Sequence, residues 1–184
     1  SAIQKYRKAL PEIPIGLTIG ADNVRQDIQA ATEAGFDFVT LMAMDLSDTP
    51  ADLVELEGNP DISVLTKVIC KLREIKRKED IDILYFGGIR NGADLAKILA
   101  LCGNAVIIGQ AALIAAGDCK LPQDISEGAQ CITNFVSSML METSIIARSC
   151  GKTDVHNLEP EDLRSLTVET SRVTAIPLIG KDKV

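Results

Sequence analysis

The chain has 184 residues, of which 46% are hydrophobic and 24% are charged, and this balance predicts a single soluble domain with a hydrophobic core. Its formal net charge of −7 excludes a general electrostatic attraction to nucleic acid or to an anionic membrane surface. No stretch of the sequence reaches the roughly eighteen consecutive apolar residues of a membrane-spanning helix.

Four strand-then-helix units are predicted one after another, following a short charged helical pattern in residues 1–8 that does not resemble a signal peptide. Each unit begins with a short apolar run without helical spacing, and the predicted strands are 13–19, 38–42, 83–86 and 105–108. Each run is followed by apolar residues three or four positions apart, which predict helices over 24–34, 62–78, 93–101 and 111–116. Continuous apolar strands that alternate with helices are typical of a parallel sheet with helices packed on it.

The alternation of strands and helices stops after Gly117. Residues 125–148 predict one long amphipathic helix, with Phe135 and Met139 on its apolar face. A last helix is predicted from Glu161 to about Thr170, because Pro160 suits a first turn and acidic residues suit its positive end.

Two neighbouring units end their strands in glycine where a helix begins. Gly87 and Gly88 follow the third predicted strand, and Gly109 and Gln110 follow the fourth. Glycine lets a backbone approach a ligand closely, and amides at a helix start point outward, so the pair of turns indicates a phosphate-binding corner. Tight packing is the alternative reason for these glycines. Arg90 lies beside the corner, either to neutralise a phosphate or as an ordinary surface arginine.

The remaining reactive side chains do not form a recognisable catalytic or metal-binding set. The five cysteines are odd in number without a C-x-x-C pair, which predicts free thiols in a reducing compartment, the cytoplasm. His156 is the one histidine, and it lies in a polar connection where a structural hydrogen bond is expected. The catalytic residues are therefore unknown from the sequence, and no metal site is predicted.

The segment 87–97, continued by 105–114, resembles the FMN-binding domain of glutamate synthases. The tail segments 150–163 and 176–180 add to the resemblance, and 13–17 with 34–38 looks like strands five and six of that barrel. The resemblance implies half of a (β/α)8 barrel, with four parallel strands, about strands five to eight, in residues 1–117. Residues 118–184 would be a helical C-terminal extension of the same domain. A complete barrel takes about 250 residues, which also favours a half.

The resemblance also implies a cofactor and an activity. Members of the family bind FMN and make glutamate from 2-oxoglutarate and ammonia with electrons passed to the flavin. Carried over by motif, Gly87, Gly88 and Ile89 would hold the FMN phosphate from one side, and Gly109 and Gln110 from the other. The expected partners are a missing barrel half, in the same parent chain, in a partner subunit or in a second copy, together with electron-donor and glutaminase subunits.

Several positions depart from the pattern of the family. Thr18 stands where the fifth strand usually carries a lysine, Phe86 stands where an acidic residue is usual, and the segment 42–49 lacks the glycines of an acidic loop. Cys119 and Cys131 are too far apart for the compact ligand spacing of an iron–sulfur cluster, so none is expected. Three interpretations therefore stay open: a part of an oxidoreductase, a catalytically degenerate paralogue that keeps the corner for binding or assembly, and a fragment without separate function.

Overall fold

The computed structural model describes residues 2–9, 11–43, 61–117 and 125–181. Their regular elements, in chain order, are α1 (Ala2–Ala9), β1 (Gly16–Ile19), α2 (Val24–Ala34), β2 (Phe38–Met42), α3 (Ser63–Glu74), β3 (Asp82–Phe86), α4 (Gly92–Ala100), β4 (Ala105–Ile107), α5 (Gln110–Ala115), α6 (Ile125–Ser149) and α7 (Val168–Thr174). Short 3-10 turns lie at Lys78–Asp80, Val155–Asn157 and Pro160–Asp162.

The strands form one parallel sheet in the order β1-β2-β3-β4. One row of paired residues crosses the whole sheet, in the order Thr18, Thr40, Leu84 and Ala105. Within the described ranges, β1 and β4 have no further strand beside them. The prediction of four consecutive parallel strands with helices, half of a (β/α)8 barrel, is thus confirmed.

The two faces of the sheet are buried to different extents. Strand side chains alternate between faces, and the set that faces the helices is buried: Ile19, Val39, Leu41, Ile83 and Tyr85. The opposite set, which faces the interior of the half barrel, is only partly buried or exposed. The helices complete the core with residues at helical spacing, including Val24, Ile28, Leu65, Val68, Leu72, Leu95, Ile98 and Leu99. The half barrel therefore has its own helix–sheet core but an incompletely covered interior.

Most predicted boundaries agree with the structure, but the last helix was wrongly placed. Pro160 begins only a 3-10 turn, because the Asp162 carboxylate accepts the Glu159 N–H at 2.9 Å and Leu163 continues in an extended conformation. The helix begins later, at Val168, where the Thr167 hydroxyl accepts the N–H of Thr170 at 3.1 Å. Local side-chain capping decided the boundary in both places.

The tail packs on the same core as the half barrel. Met139, Thr143 and Ala147 of α6 are buried, and Leu158 and Ile176 join the core of the sheet and its helices. No helix in the described parts of the chain has the length and hydropathy needed to cross a bilayer. The boundary between residues 117 and 118 remains a prediction.

Candidate functional site

The two glycine turns lie side by side at the carboxyl edge of the sheet. The last paired residues of β3 and β4 are Phe86 and Ile107. Because neighbouring strands run about 4.8 Å apart, the turn that starts at Gly87 adjoins the one that contains Gly109. The structure thus brings together all five residues predicted for the phosphate corner.

The backbone of the first turn requires glycine. Gly87 has a φ of 149° and Gly88 a φ of 65°, which are conformations that other residues rarely adopt. Ile89, directly after them, is buried in the core. Its side chain therefore anchors the turn while the exposed Gly88 stays at the surface.

Several backbone donors of this corner have no acceptor among the residues that the structure describes. No described residue accepts the N–H of Gly87, Gly88 or Ile89, or that of Gly109. Backbone N–H groups that lack a partner are costly unless water or a ligand accepts them. Within the described ranges, no protein group competes with a ligand or water for these four donors.

The next donors along the chain are occupied by side chains. The Arg90 N–H donates to Asp94 at 3.2 Å, and the Asp94 N–H donates to the Asn91 side chain at 2.9 Å. The N–H of Gly92 donates to the Glu142 carboxylate of α6 at 2.7 Å. Two protein carboxylates therefore already occupy the positive end of α4, and the donors of this unit that lack a described acceptor lie in the turn before it.

Arg90 takes part in a surface ion pair. Its side chain is 77% exposed, and its Nε lies 3.4 Å from the Asp94 carboxylate. Asp94 is 13% exposed and also pairs with Lys97 at 3.2 Å. Arg90 thus lies at the surface beside the corner, and its role toward a phosphate stays a prediction.

A cavity of about 170 Å³ lies beneath the first turn, on the helix-facing side of the sheet. It is lined by Gly87, Gly88, Ile89, Arg90, Asp94, Lys97, Ile98, Ile62 and Tyr85. Burial, with the nearby carboxylates of Asp61 and Asp94, raises the pKa of Tyr85 to about 12. The cavity is thus a feature of the gap between α3 and α4 and does not face the barrel interior.

The interior-facing side chains at the carboxyl edge are apolar. Phe86 lies between Met42 and Ile107 in the paired row. Thr18 is exposed on β1. Among the described residues, no titratable side chain stands at the interior end of the strands, so the structure identifies no acid or base there. The segment 44–49 and Cys119, singled out from the sequence, lie outside the described residues.

Metal-ligating side chains are dispersed in the part of the chain that the structure describes. No group of three or more histidine, cysteine, aspartate or glutamate residues comes together there. His156 is exposed, and its backbone N–H donates to Asp154 at 2.8 Å.

Three contributors to the site were not found from the sequence: Asn91, Asp94 and Glu142. Asn91 and Asp94, three positions apart at a helix start, carry a recognisable capping signal. Glu142 carries none, because it lies 50 positions from Gly92 and only the packing of α6 brings it there.

Comparison with known proteins places these features in context. Residues 1–137 match the family described as the conserved region in glutamate synthase. The chain is 31% identical to a glutamate synthase large subunit-like protein of Rhizobium meliloti, over 92% of this chain and 47% of that protein. It is 34% identical to the archaeal-type glutamate synthase [NADPH] of Dehalococcoides mccartyi, over 79% of this chain and 29% of that protein. The chain therefore spans less than half the length of these curated relatives.

Solved structures share the fold. The recombinant flavin-binding domain of baker's yeast flavocytochrome b2 matches with a TM-score of 0.62 and 22% identity, over 98% of this chain and 40% of that chain. An (S)-mandelate dehydrogenase matches with a TM-score of 0.60 and 20% identity, over 88% of this chain and 38% of that chain. These likenesses show that four strands and their helices are arranged as in part of a larger barrel.

Proposed function

This chain belongs to the glutamate synthase family, and we propose that it supplies the phosphate-binding half of an FMN-dependent barrel. The observation that carries the proposal is the set of N–H donors at Gly87, Gly88, Ile89 and Gly109, for which no described residue provides an acceptor. Amide donors on two adjoining turns suit the oxygens of a phosphate group.

The residues of the corner have distinct proposed roles. Gly87, Gly88 and Ile89 would hold the FMN phosphate from the side of β3, and Gly109 and Gln110 would hold it from the side of β4. When bound, FMN would supply the electrons for making glutamate from 2-oxoglutarate and ammonia. An electron-donor subunit and a glutaminase subunit would serve that reaction.

The open strands support a missing barrel half. An unpaired strand edge is a site for association, and apolar side chains are exposed on and after β4, namely Ile107, Leu113 and Ile114. The chain covers 47% of one family relative and 40% of a neighbouring barrel structure. We propose that four further strand–helix units, in the same protein or in a partner subunit, complete the barrel.

A second candidate function is favoured by the apolar interior. Met42, Phe86 and Ile107 line the carboxyl edge, and Thr18 stands where the family usually has lysine. A paralogue that binds FMN or assembles with its partners without making glutamate would keep the phosphate corner. It would lose the catalytic side chains of the interior, such as the lysine of the family. The two candidates share cofactor binding and differ in turnover.

Flavin binding by the protein with its complete barrel tests the proposal. FMN should bind, give a yellow absorption spectrum and bind at least tenfold more tightly than riboflavin, which lacks the phosphate and so loses one or more charged hydrogen bonds. Equal affinity for the two flavins, or no binding of either, would contradict the proposed corner.

Turnover then separates the two candidates. Glutamate formation from 2-oxoglutarate and ammonia by the reduced, FMN-loaded protein supports the enzyme, and tight FMN binding without product supports the paralogue. Iron and acid-labile sulfide are expected to be absent from this chain, and stoichiometric amounts of both would contradict that prediction.

A further inference from the structure

The long helix α6 packs against α4, and at Gly92, the first residue of α4, the two backbones come close enough to exclude a side chain. A Cβ atom on Gly92 would lie 2.4 Å from the Met139 carbonyl oxygen and 2.8 Å from the Thr143 backbone nitrogen. Contacts under 3.0 Å do not occur between real atoms of these kinds, so only glycine permits this approach. The two helices therefore touch backbone to backbone at the end of the glycine turn.

Two side chains of α6 bind the backbone of the same glycine. The Glu142 carboxylate accepts the Gly92 N–H at 2.7 Å, and the Thr143 hydroxyl lies 3.0 Å from the Gly92 carbonyl oxygen. The same hydroxyl lies 2.8 Å from the Met139 carbonyl oxygen and shares its proton between the two acceptors. Thr143 is completely buried, so these are the acceptors that the structure offers its hydroxyl. Glu142 and Thr143 together form what we call the Gly92 clamp.

The clamp fixes one end of the turn that contains three of the four donors, those of Gly87, Gly88 and Ile89. The other end is fixed at Phe86, which pairs with Met42 and Ile107 in the sheet. Between these two points, Ile89 is buried, while Gly88 has left-handed backbone geometry. A short turn held at both ends has few alternative conformations, and a pre-organised set of donors binds its ligand more tightly because less ordering accompanies binding.

We propose that Glu142 and Thr143 are positioning residues for the phosphate corner, which they hold in its binding conformation from outside the half barrel. The inference rests on the proposed function, since it assigns the clamp to the FMN site. Through the clamp, the packing of α6 stabilises the conformation of the turn that binds the ligand, and a bound ligand in turn stabilises the packing of α6. Neither side chain needs to touch the ligand.

Matched substitutions in the complete protein test the clamp. Glu142→Ala and Thr143→Val each remove a bond to Gly92, whereas Thr143→Ser keeps the hydroxyl. Glu142→Asp is a milder change that keeps the charge but withdraws the carboxylate. Ser144→Ala is the control, because the Ser144 hydroxyl donates within α6, to the Leu140 carbonyl oxygen at 2.8 Å.

Two measurements separate positioning from general stability. Amide hydrogen exchange of the hydrogen-bonded N–H groups in residues 86–92, such as those of Arg90 and Gly92, should become about tenfold faster in the ligand-free Glu142→Ala and Thr143→Val variants, as expected for the loss of one hydrogen bond to a charged or buried group. The FMN dissociation constant should rise by about the same factor. Glu142→Asp should raise both the exchange rate and the FMN dissociation constant. Thr143→Ser and Ser144→Ala should leave these two quantities near their wild-type values.

The outcomes that oppose the inference differ from those that oppose the proposed function. Unchanged exchange in residues 86–92 would overturn the clamp, and faster exchange with an unchanged FMN dissociation constant would overturn its positioning role. A wild-type protein that binds no FMN would overturn the proposed function and the ligand part of this inference. The exchange comparison would then still decide whether α6 holds the turn.

Discussion

The Asp37 carboxylate accepts a hydrogen bond from the Arg7 guanidinium at 2.8 Å, which ties α1 to the start of β2. Its other oxygen accepts the Ile15 N–H at 2.7 Å. The hydrogen bond from Ile15, followed by that from Arg7, holds the pKa of Asp37 below its usual value of 3.8. One carboxylate therefore joins three segments at the amino edge of the sheet.

Replacement of the Asp37 carboxylate should lower the free energy of unfolding by an amount that depends on pH. Asp37→Asn should lower the free energy of unfolding by about 1 kcal/mol near neutral pH, a value reduced because the side chain is 37% exposed. Since the folded-state pKa is lowered, this stabilisation is present above pH 3.8 and is lost as the pH falls through the folded-state pKa. Urea unfolding of the wild type and of Asp37→Asn, from neutral pH to below pH 3.8, measures this pH-dependent difference in the free energy of unfolding. Glu12→Gln, an exposed change nearby, is the control for the loss of one negative charge and should leave the free energy of unfolding near the wild-type value at neutral pH.

Gly92 should tolerate no side chain. Gly92→Ala would place a methyl group 2.4 Å from the Met139 carbonyl oxygen, so α6 must move away and lose packing. We expect a loss of about 1–3 kcal/mol in the free energy of unfolding. Gly20→Ala is the control, because a Cβ atom there meets nothing within 4 Å. Equal stability of the two variants in urea would contradict the close helix contact.

Gly109 is the best position at which to test the corner without straining it through a positive φ. Its φ is −118°, so Gly109→Ala avoids the left-handed region that Gly88 occupies. A methyl group beside the free N–H should crowd a bound phosphate and remove one or two charged hydrogen bonds, each worth about 1.5–3 kcal/mol. The FMN dissociation constant, measured by fluorescence titration, should rise tenfold or more. Gly20→Ala should leave it unchanged, and an unchanged constant in Gly109→Ala would indicate that the glycine serves packing.

Tyr85 should titrate at unusually high pH. Its pKa is raised to about 12, first by burial and then by Asp61 and Asp94. A raised pKa means that the folded protein favours the neutral phenol, so stability should fall as the pH rises from 10 towards 12. Alkaline absorbance titration of the wild type against Tyr85→Phe isolates this group. A phenol that titrates near 10 would contradict the buried environment.

The sequence by itself determined the elements whose signals are local. The apolar run 38–42 predicted β2 to the residue, and helical spacing that stops before Gly35 predicted the end of α2. The glycines after β3 and β4 were found for the same reason, because the geometry of a turn depends on adjacent residues. Family motifs then indicated half a barrel, which the four-stranded sheet confirms.

Only the tertiary structure decided how these pieces act together. Pro160 predicted a helix, yet the bond from Glu159 to Asp162 closed a 3-10 turn instead. The contact of Glu142 with Gly92 spans 50 positions, and no local pattern encodes such a distance. Which donors of the corner remain free likewise depended on which distant side chains reached it. Local propensities can be read from neighbouring residues, whereas the pairing of a buried polar group depends on every chain segment that packs against it.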